Sequence, residues 1–312
     1  MRFVAAAEVE RLLDDATLID RLAAMFQSPC EVPLRHHHHV TTAAGAGGTL
    51  LLMPAWQAGR HLGIKSVTVF PDNAARALPT VAGLYLLLDG SSGLPLAVID
   101  GVSLTLRRTA AASALAARHL ARSDASRLLM VGAGALAPSL IRAHAAVRPI
   151  RHVALWNRPR AQAVALANKL AGHFNVTVAD DLATAARQAD VISCATLSKT
   201  PLIRGAWLKP GSHLDLVGGF TPEMREADDE AVRRAHVFVD TRAGAMKEAG
   251  DIADLLARGV IAEAVFRADL FALCAGEHAG RTAADEITLF KSVGTALEDL
   301  AAAALVHERL AS

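Results

Sequence analysis

The stretch Arg127-Leu128-Leu129-Met130-Val131-Gly132-Ala133-Gly134-Ala135-Leu136-Ala137 carries a short apolar segment into a Gly-x-Gly-x-x-Ala turn, with an Ala-rich helical segment beyond it. Isolated glycine patterns are common, and it is the strand before and the helix after that give this one its weight. Gly132 permits the tight turn, Gly134 lets the backbone approach a pyrophosphate, and the small Ala137 allows close helix–strand packing. Ala133, Ala135 and Leu136 complete the candidate cofactor-binding loop. The helix that follows would turn free N–H groups and the positive end of its dipole toward phosphates.

Outward from this turn, short β-rich runs alternate with helical segments. The runs are residues 127–131, 152–155, 176–178, 190–195, 213–218 and 236–240, each a short apolar strand as expected where helices cover both faces. Six such strands describe an α/β fold with a doubly wound parallel sheet of the Rossmann type. Cofactor choice falls at the end of the second strand, where a carboxylate usually receives the ribose hydroxyls. The segment here is Trp156-Asn157-Arg158-Pro159-Arg160. Asn157 can still bond a hydroxyl, and Arg158 offers a planar fork suited to a 2′-phosphate, so NADPH is favoured with NADH possible. Thr196 and Ser198, just past the 190–195 strand, are expected on the ligand edge of the sheet, near the nicotinamide half.

The first ~120 residues differ, as a second α+β domain. Strands are expected at 50–53, 64–70, 83–88 and 95–99, with turns at Asp72-Asn73 and at Asp89-Gly90-Ser91-Ser92-Gly93, the latter a hairpin signal. The sheet is therefore antiparallel or mixed. A helix over 104–121 joins the halves, and 288–310 is read as helical and packed back on the N-terminal half. The expected division is 1–120 with 288–312, and 121–287 for the dinucleotide domain.

Hydrophobic residues make up 52% of the 312 residues and charged ones 20%, enough for a large core and against disorder. A net charge of +1 without a basic block gives no nucleic-acid footprint. Cys30, Cys194 and Cys274 are odd in number and far apart, so neither a metal site nor a disulfide framework follows, and a reducing compartment fits. Glu8 and Glu10 precede any apolar run, which argues against a secretory signal, and no apolar stretch reaches the ~20 residues of a membrane helix. A cytoplasmic protein is expected.

Several cations stand in apolar N-terminal sequence: Arg35 before His36, His37, His38 and His39, then Lys65, Arg107 and Arg108. The histidines are read as a polar loop, since four adjacent ones cannot all face one site. Together with the glycine turn, Leu52-Met53-Pro54-Ala55, Gly63-Ile64-Lys65, Phe70-Pro71-Asp72-Asn73, Arg108-Thr109-Ala110-Ala111 and the run from Glu286 to Gly294 resemble the ornithine cyclodeaminase/mu-crystallin family over nearly the whole chain. The resemblance implies a homodimer, each subunit having a substrate and dimerisation domain and a Rossmann domain. It assigns Arg35, Lys65 and Arg108 to the substrate carboxylate. Two guanidinium forks and an ammonium suit that task, and Arg107 is the weaker candidate because Arg108 directly precedes the matching Thr109.

Two departures narrow the expected activity. Ornithine cyclodeaminases carry an acid where this chain has Leu51, and a catalytic Asp after paired glycines where it reads Gly218-Gly219-Phe220-Thr221-Pro222. The resemblance is instead to the family's ketimine reductases, which reduce Δ1-pyrroline-2-carboxylate and Δ1-piperideine-2-carboxylate. A protonated cyclic ketimine accepts hydride without further activation, so no residue is assigned as acid or base. Met53, Phe220 and Thr221 are expected beside the ring. The alternatives are a true cyclodeaminase, an alanine-dehydrogenase-like enzyme, and a non-catalytic NADPH- or small-ligand-binding, crystallin-like protein.

Overall fold

Apolar runs punctuated by Gly, Pro and Asp turns organise two sheets, seen in a computed structural model that describes residues 1–42 and 47–311. In chain order the first elements are β1 (Arg2–Val4), α1 (Ala6–Leu12), α2 (Asp15–Phe26), β2 (His36–Thr41), β3 (Gly47–Gln57), β4 (His61–Val69), β5 (Val81–Asp89), β6 (Pro95–Asp100) and α3 (Gly101–Leu120). Next come β7 (Arg127–Val131), α4 (Ala137–Val147), β8 (His152–Trp156), α5 (Arg160–Leu170), β9 (Asn175–Val178), α6 (Leu182–Gln188), β10 (Val191–Cys194) and β11 (His213–Leu216). The last are α7 (Asp229–Arg234), β12 (His236–Val239), α8 (Arg242–Glu248), α9 (Gly250–Ala257), β13 (Phe266–Asp269), α10 (Leu270–Ala275), β14 (Thr288–Lys291) and α11 (Ala296–Ala311).

The chain divides into two compact units, Met1–Arg108 with Thr295–Ser312, and Thr109–Gly294. The first holds a mixed sheet ordered β1-β6-β5-β4-β3-β2, parallel only at β1–β6. Its hairpin at 89–93 closes as expected: the Asp89 carboxylate accepts from the Ser91 and Ser92 N–H groups at 3.1 and 2.7 Å and from the Ser92 hydroxyl at 2.8 Å. Side chains alternate across the sheet. The face carrying Met53, Ala55, Lys65, Tyr85, Leu87 and Ile99 is buried, and α11 packs on this sheet. Residues 36–39 are part of an edge strand rather than a loop. Antiparallel pairing with β3 satisfies the backbone groups that face it while successive imidazoles alternate between the two faces, a pattern that polar composition conceals.

The second unit is an eight-stranded parallel sheet ordered β13-β12-β14-β11-β10-β7-β8-β9. The six expected strands are all present, and two more were not foreseen. Residues 288–291 form the strand β14, inserted between β11 and β12, and the final helix begins only at Ala296. All four residues of β14 are buried, and a central parallel strand lacks the alternation that would distinguish it from the start of a buried helix. Asp228 caps α7, accepting from the Ala231 N–H at 2.9 Å, an interaction worth about 1 kcal/mol.

Candidate functional site

The order of the second sheet reverses direction between β7 and β10, where open α/β sheets bind ligands at their carboxyl ends. The glycine turn lies there. Gly132 has φ 105°, and a Cβ on it would stand 2.6 Å from the Ala195 carbonyl oxygen, so only glycine fits. Gly134 faces open space, with nothing within 4 Å of the position a Cβ would take. Ala137 is 1% exposed and opens α4, whose N-terminus has no side-chain cap at Leu136. The uncapped helix end and the open Gly134 backbone fit the phosphates of a dinucleotide.

Asn157 holds the turn. Its Oδ1 accepts from the Ala133 N–H at 3.1 Å, while Nδ2 donates to the Pro159 carbonyl at 3.1 Å and to Gln162 Oε1 at 2.9 Å. The side chain expected to meet a ribose hydroxyl thus already ties the first loop to the second. Arg158 is exposed, its Nη2 3.4 Å from the Thr200 hydroxyl, whereas Arg160 pairs with Asp180 at 2.8 Å.

Past β10, Thr196 is packed against a second glycine, since a Cβ on Gly218 would fall 2.1 Å from its carbonyl oxygen. Its N–H and hydroxyl both donate to Glu226 Oε1, at 2.7 and 2.9 Å, and the Gly218 N–H donates to Oε2 at 2.8 Å. One carboxylate therefore clasps the ends of β10 and β11. The Glu226 and Ala227 N–H groups in turn donate to Asp251 Oδ1 at 2.7 and 3.0 Å, and Lys291 Nζ lies 3.4 Å from Asp251 Oδ2. Burial pushes Glu226 up to about 7, with Lys291 opposing and Asp251 reinforcing the rise. Ser198 shapes the next turn, its hydroxyl donating to the Thr200 carbonyl at 2.6 Å. Phe220 is 46% exposed, and the Thr221 carbonyl accepts from Met224 and Gly250 N–H groups. Glu226, Asp251 and Lys291 escaped the sequence reading. They lie far apart in the chain, and Glu226 sits in the charged run from Glu223 to Glu230, where one more acid carries no signal of burial.

In the first unit, cross-strand register brings the foreseen residues together. Met53 pairs with Lys65, and Lys65 with Tyr85, on the buried face. Lys65 is 2% and Arg108 5% exposed. Both meet carboxylates of α11 that the sequence reading missed. Lys65 Nζ lies 2.7 Å from Asp299 Oδ2, Arg108 Nε donates to Asp299 Oδ1 at 2.9 Å, and Arg108 Nη1 donates to Glu298 Oε2 at 2.7 Å. Burial and the neighbouring Arg108 lower Lys65 to about 8, against the pull of Asp299. Burial would raise the Asp299 carboxyl, but Lys65 and Arg108 outweigh it and hold it low. Arg35 acts electrostatically on both Lys65 and Asp299. Arg107 belongs elsewhere, paired with Asp15 at 2.8 Å and the Leu13 carbonyl.

Comparison with known proteins agrees with this architecture. The model of the ornithine cyclodeaminase/mu-crystallin family matches residues 1–312. The Protein SAR DEFICIENT 4 of Arabidopsis thaliana is 45% identical over 268 residues, covering 83% of this chain and 82% of its own. A Delta(1)-pyrroline-2-carboxylate reductase of Paracoccus denitrificans is 42% identical over 259 residues, 82% of each chain. The structure of Thermococcus litoralis Delta(1)-pyrroline-2-carboxylate reductase, in complex with NADH and L-proline, superposes with a TM-score of 0.93 at 31% identity, covering 100% of this chain and 98% of that one. With the glycine turn, the cation cluster and both sheets in place, the chain belongs to the ornithine cyclodeaminase/mu-crystallin family.

Proposed function

We propose that this protein is an NAD(P)H-dependent imino acid reductase that converts Δ1-pyrroline-2-carboxylate, Δ1-piperideine-2-carboxylate or both to proline and pipecolate. One observation carries the reading. Lys65 and Arg108 meet at Asp299, Arg108 also reaches Glu298, and Arg35 acts on Lys65 and Asp299, so three cations gather where one substrate carboxylate would be held. Leu51 and Met53, rather than acids, share that sheet face. Met53, beside Lys65 on the first unit, is assigned to the ring methylenes, and Phe220 and Thr221 of the second unit are retained as candidates for the same task. The first unit serves the substrate and dimerisation, and the second carries the dinucleotide on Gly132, Ala133, Gly134, Ala135 and Leu136, with Asn157, Thr196 and Ser198 nearby. When bound, the reduced nicotinamide supplies the hydride. The residues named here orient the ketimine by its carboxylate. Oxidation of NADPH across a panel of cyclic and linear imino acids, with ornithine as control, tests the reading. Cofactor binding without turnover of any ketimine would leave a ligand-binding protein instead.

Arg158, with no carboxylate beside it at the end of β8, favours NADPH over NADH. A charge-assisted contact to the 2′-phosphate is worth about 1.5–3 kcal/mol, so Arg158→Ala should raise the KM for NADPH by about 10- to 150-fold and leave that for NADH nearly unchanged. Equal effects on both cofactors, or a wild-type preference for NADH, refute the assignment.

The protein acts as a homodimer. Phe3, Val98, Leu86, Ile64 and Pro54 line up in register across the outer face of the first sheet, and Phe3 is 62% and Leu84 48% exposed. So large an apolar row calls for a covering surface, and a second copy offers the same one. Sedimentation equilibrium should return the mass of two chains; a single-chain mass at micromolar concentration counts against it. Cys30, Cys194 and Cys274 are free thiols, which suits the cytoplasm. Among the described residues no helix is long and apolar enough to cross a membrane.

A further inference from the structure

Four consecutive histidines remain unexplained by the cation cluster. Within β2, His36 pairs with Leu52, His37 with Leu51, His38 with Leu50 and His39 with Thr49. Directly opposed residues share a face and successive ones alternate. His36 and His38 therefore share one face, where their rings meet edge-on with centroids 6.3 Å apart. His37 is on the other face with Leu51, hence with Met53 two residues along and with Lys65, the partner of Met53. Arg35, two residues before His37, acts on Lys65 and Asp299, so the chain enters β2 at the cation cluster. His39 is a further two residues away, about 7 Å at strand rise. Strand parity leaves His37 and His39, and position along β2 then selects His37 to flank the carboxylate grip.

Resting on the reductase reading, we propose that His37 is a catalytic residue that donates the proton to the ketimine nitrogen. Its partner Leu51 stands where cyclodeaminases carry an acid, so an imidazole borders the corner of the site that the missing carboxylate leaves apolar. The imidazolium N–H bond breaks and an N–H bond forms on the ring nitrogen. The C=N π electrons move to nitrogen while the hydride of the reduced nicotinamide forms the new C–H bond at C2, and the nicotinamide is oxidised. His37 is exposed and recovers its proton from water. A cyclic ketimine that arrives unprotonated is reduced slowly, and a donor fixed beside it removes that limit.

The test uses the full-length protein with Δ1-pyrroline-2-carboxylate and NADPH. His37→Ala and His37→Gln should lower kcat about 10²-fold with cofactor binding unchanged, and added imidazole should restore part of the His37→Ala rate. His36→Gln and His38→Gln should match the wild type. Independently, L-proline should shift the His37 imidazole NMR resonance and leave those of His36 and His38 in place. Wild-type rates in the His37 variants, a loss that imidazole does not repair, an equal loss in His36→Gln or His38→Gln, or an unmoved His37 resonance would each overturn the proposal. If the wild type reduces no ketimine at all, the reductase reading itself fails and the proposal falls with it. Active wild type with indifferent His37 variants refutes the proton donor alone.

Discussion

Arg108→Ala is expected to lower kcat/KM for the ketimine by about 10²-fold or more, through loss of a charge-assisted contact to the substrate carboxylate. The same change leaves Glu298 and Asp299 without their shared guanidinium, and both are 0% exposed. Removing one partner of a buried ion pair costs about 3–5 kcal/mol, so the variant should also melt earlier. Arg108→Lys separates the two effects: it keeps a cation near Asp299 but loses the fork that reaches Glu298, recovering stability more than activity. Cofactor binding, followed by fluorescence, should stay near wild type, because the glycine turn is in the other unit. Poor cofactor binding with normal ketimine reduction would show that the roles of the two units are misassigned. The cluster also has a pH signature. Lys65 titrates at about 8, below its ordinary value, so its cation is present below that pH and lost above it. Affinity for L-proline should weaken as pH rises through 8, while between there and 10.5 the unfolded chain binds a proton the folded one does not, and folding stability gains.

The parts of the fold legible in the sequence were those that combine local signals. Gly132 and Gly134 were marked by a strand before and a helix after; Gly132 is required by its φ of 105° and the Ala195 carbonyl beside it, while Gly134 faces open space. Asp89-Gly90-Ser91-Ser92-Gly93 closes a hairpin with the hydrogen bonds its composition suggests. β14 was misread because Thr288-Leu289-Phe290-Lys291 is short, buried and followed by more apolar sequence, so length and period could not separate strand from helix. β13, Phe-Arg-Ala-Asp, was missed because an edge strand of four residues with two charges has almost no apolar pattern. The histidine strand was missed because its pairing is set by β3, not by its own propensity.

In the candidate site, the cations proposed to hold the substrate were visible in the sequence and the carboxylates that pair with them were not. Lys65 and Arg108 drew notice as cations in apolar sequence, yet their counter-charges, Glu298 and Asp299, passed unremarked inside a segment read as helical from 288 to 310. A sharper signal was present: α11 is apolar or Ala-rich on every side around them, as expected of a helix buried all round, where a charge must have a partner. Glu226, Asp251 and Lys291 offer the same lesson. Their separation in the chain hid a network that only the convergence of β10, β11, β14 and α9 assembles.

Ornithine should not be cyclised to proline at a rate comparable to ketimine reduction. Cyclodeamination must oxidise an unactivated amine, expel ammonia and return the hydride, with protons moved at each stage, and general acid–base help contributes typically 10²–10⁴-fold per step. By the resemblance, Leu51 and Phe220 stand where cyclodeaminases carry carboxylates, and neither side chain can pair with an ammonium or move a proton. The acids nearest in the chain are committed or misplaced. Asp215 is 0% exposed, accepting from Ser113 at 2.9 Å and Ser193 at 2.6 Å with His144 Nε2 3.1 Å away. Glu226 is equally buried, and both its oxygens accept from the backbone of Thr196 and Gly218. Glu223 lies beyond Pro222 on the exposed surface. An imidazole opposite Leu51 can protonate an imine, but as a cation it repels the δ-ammonium that cyclodeaminases must bind. Incubation with ornithine and NAD, followed by assays for ammonia and proline, measures the rate. Proline formed as fast as the ketimine is reduced would restore the cyclodeaminase and remove the meaning assigned to Leu51 and Phe220.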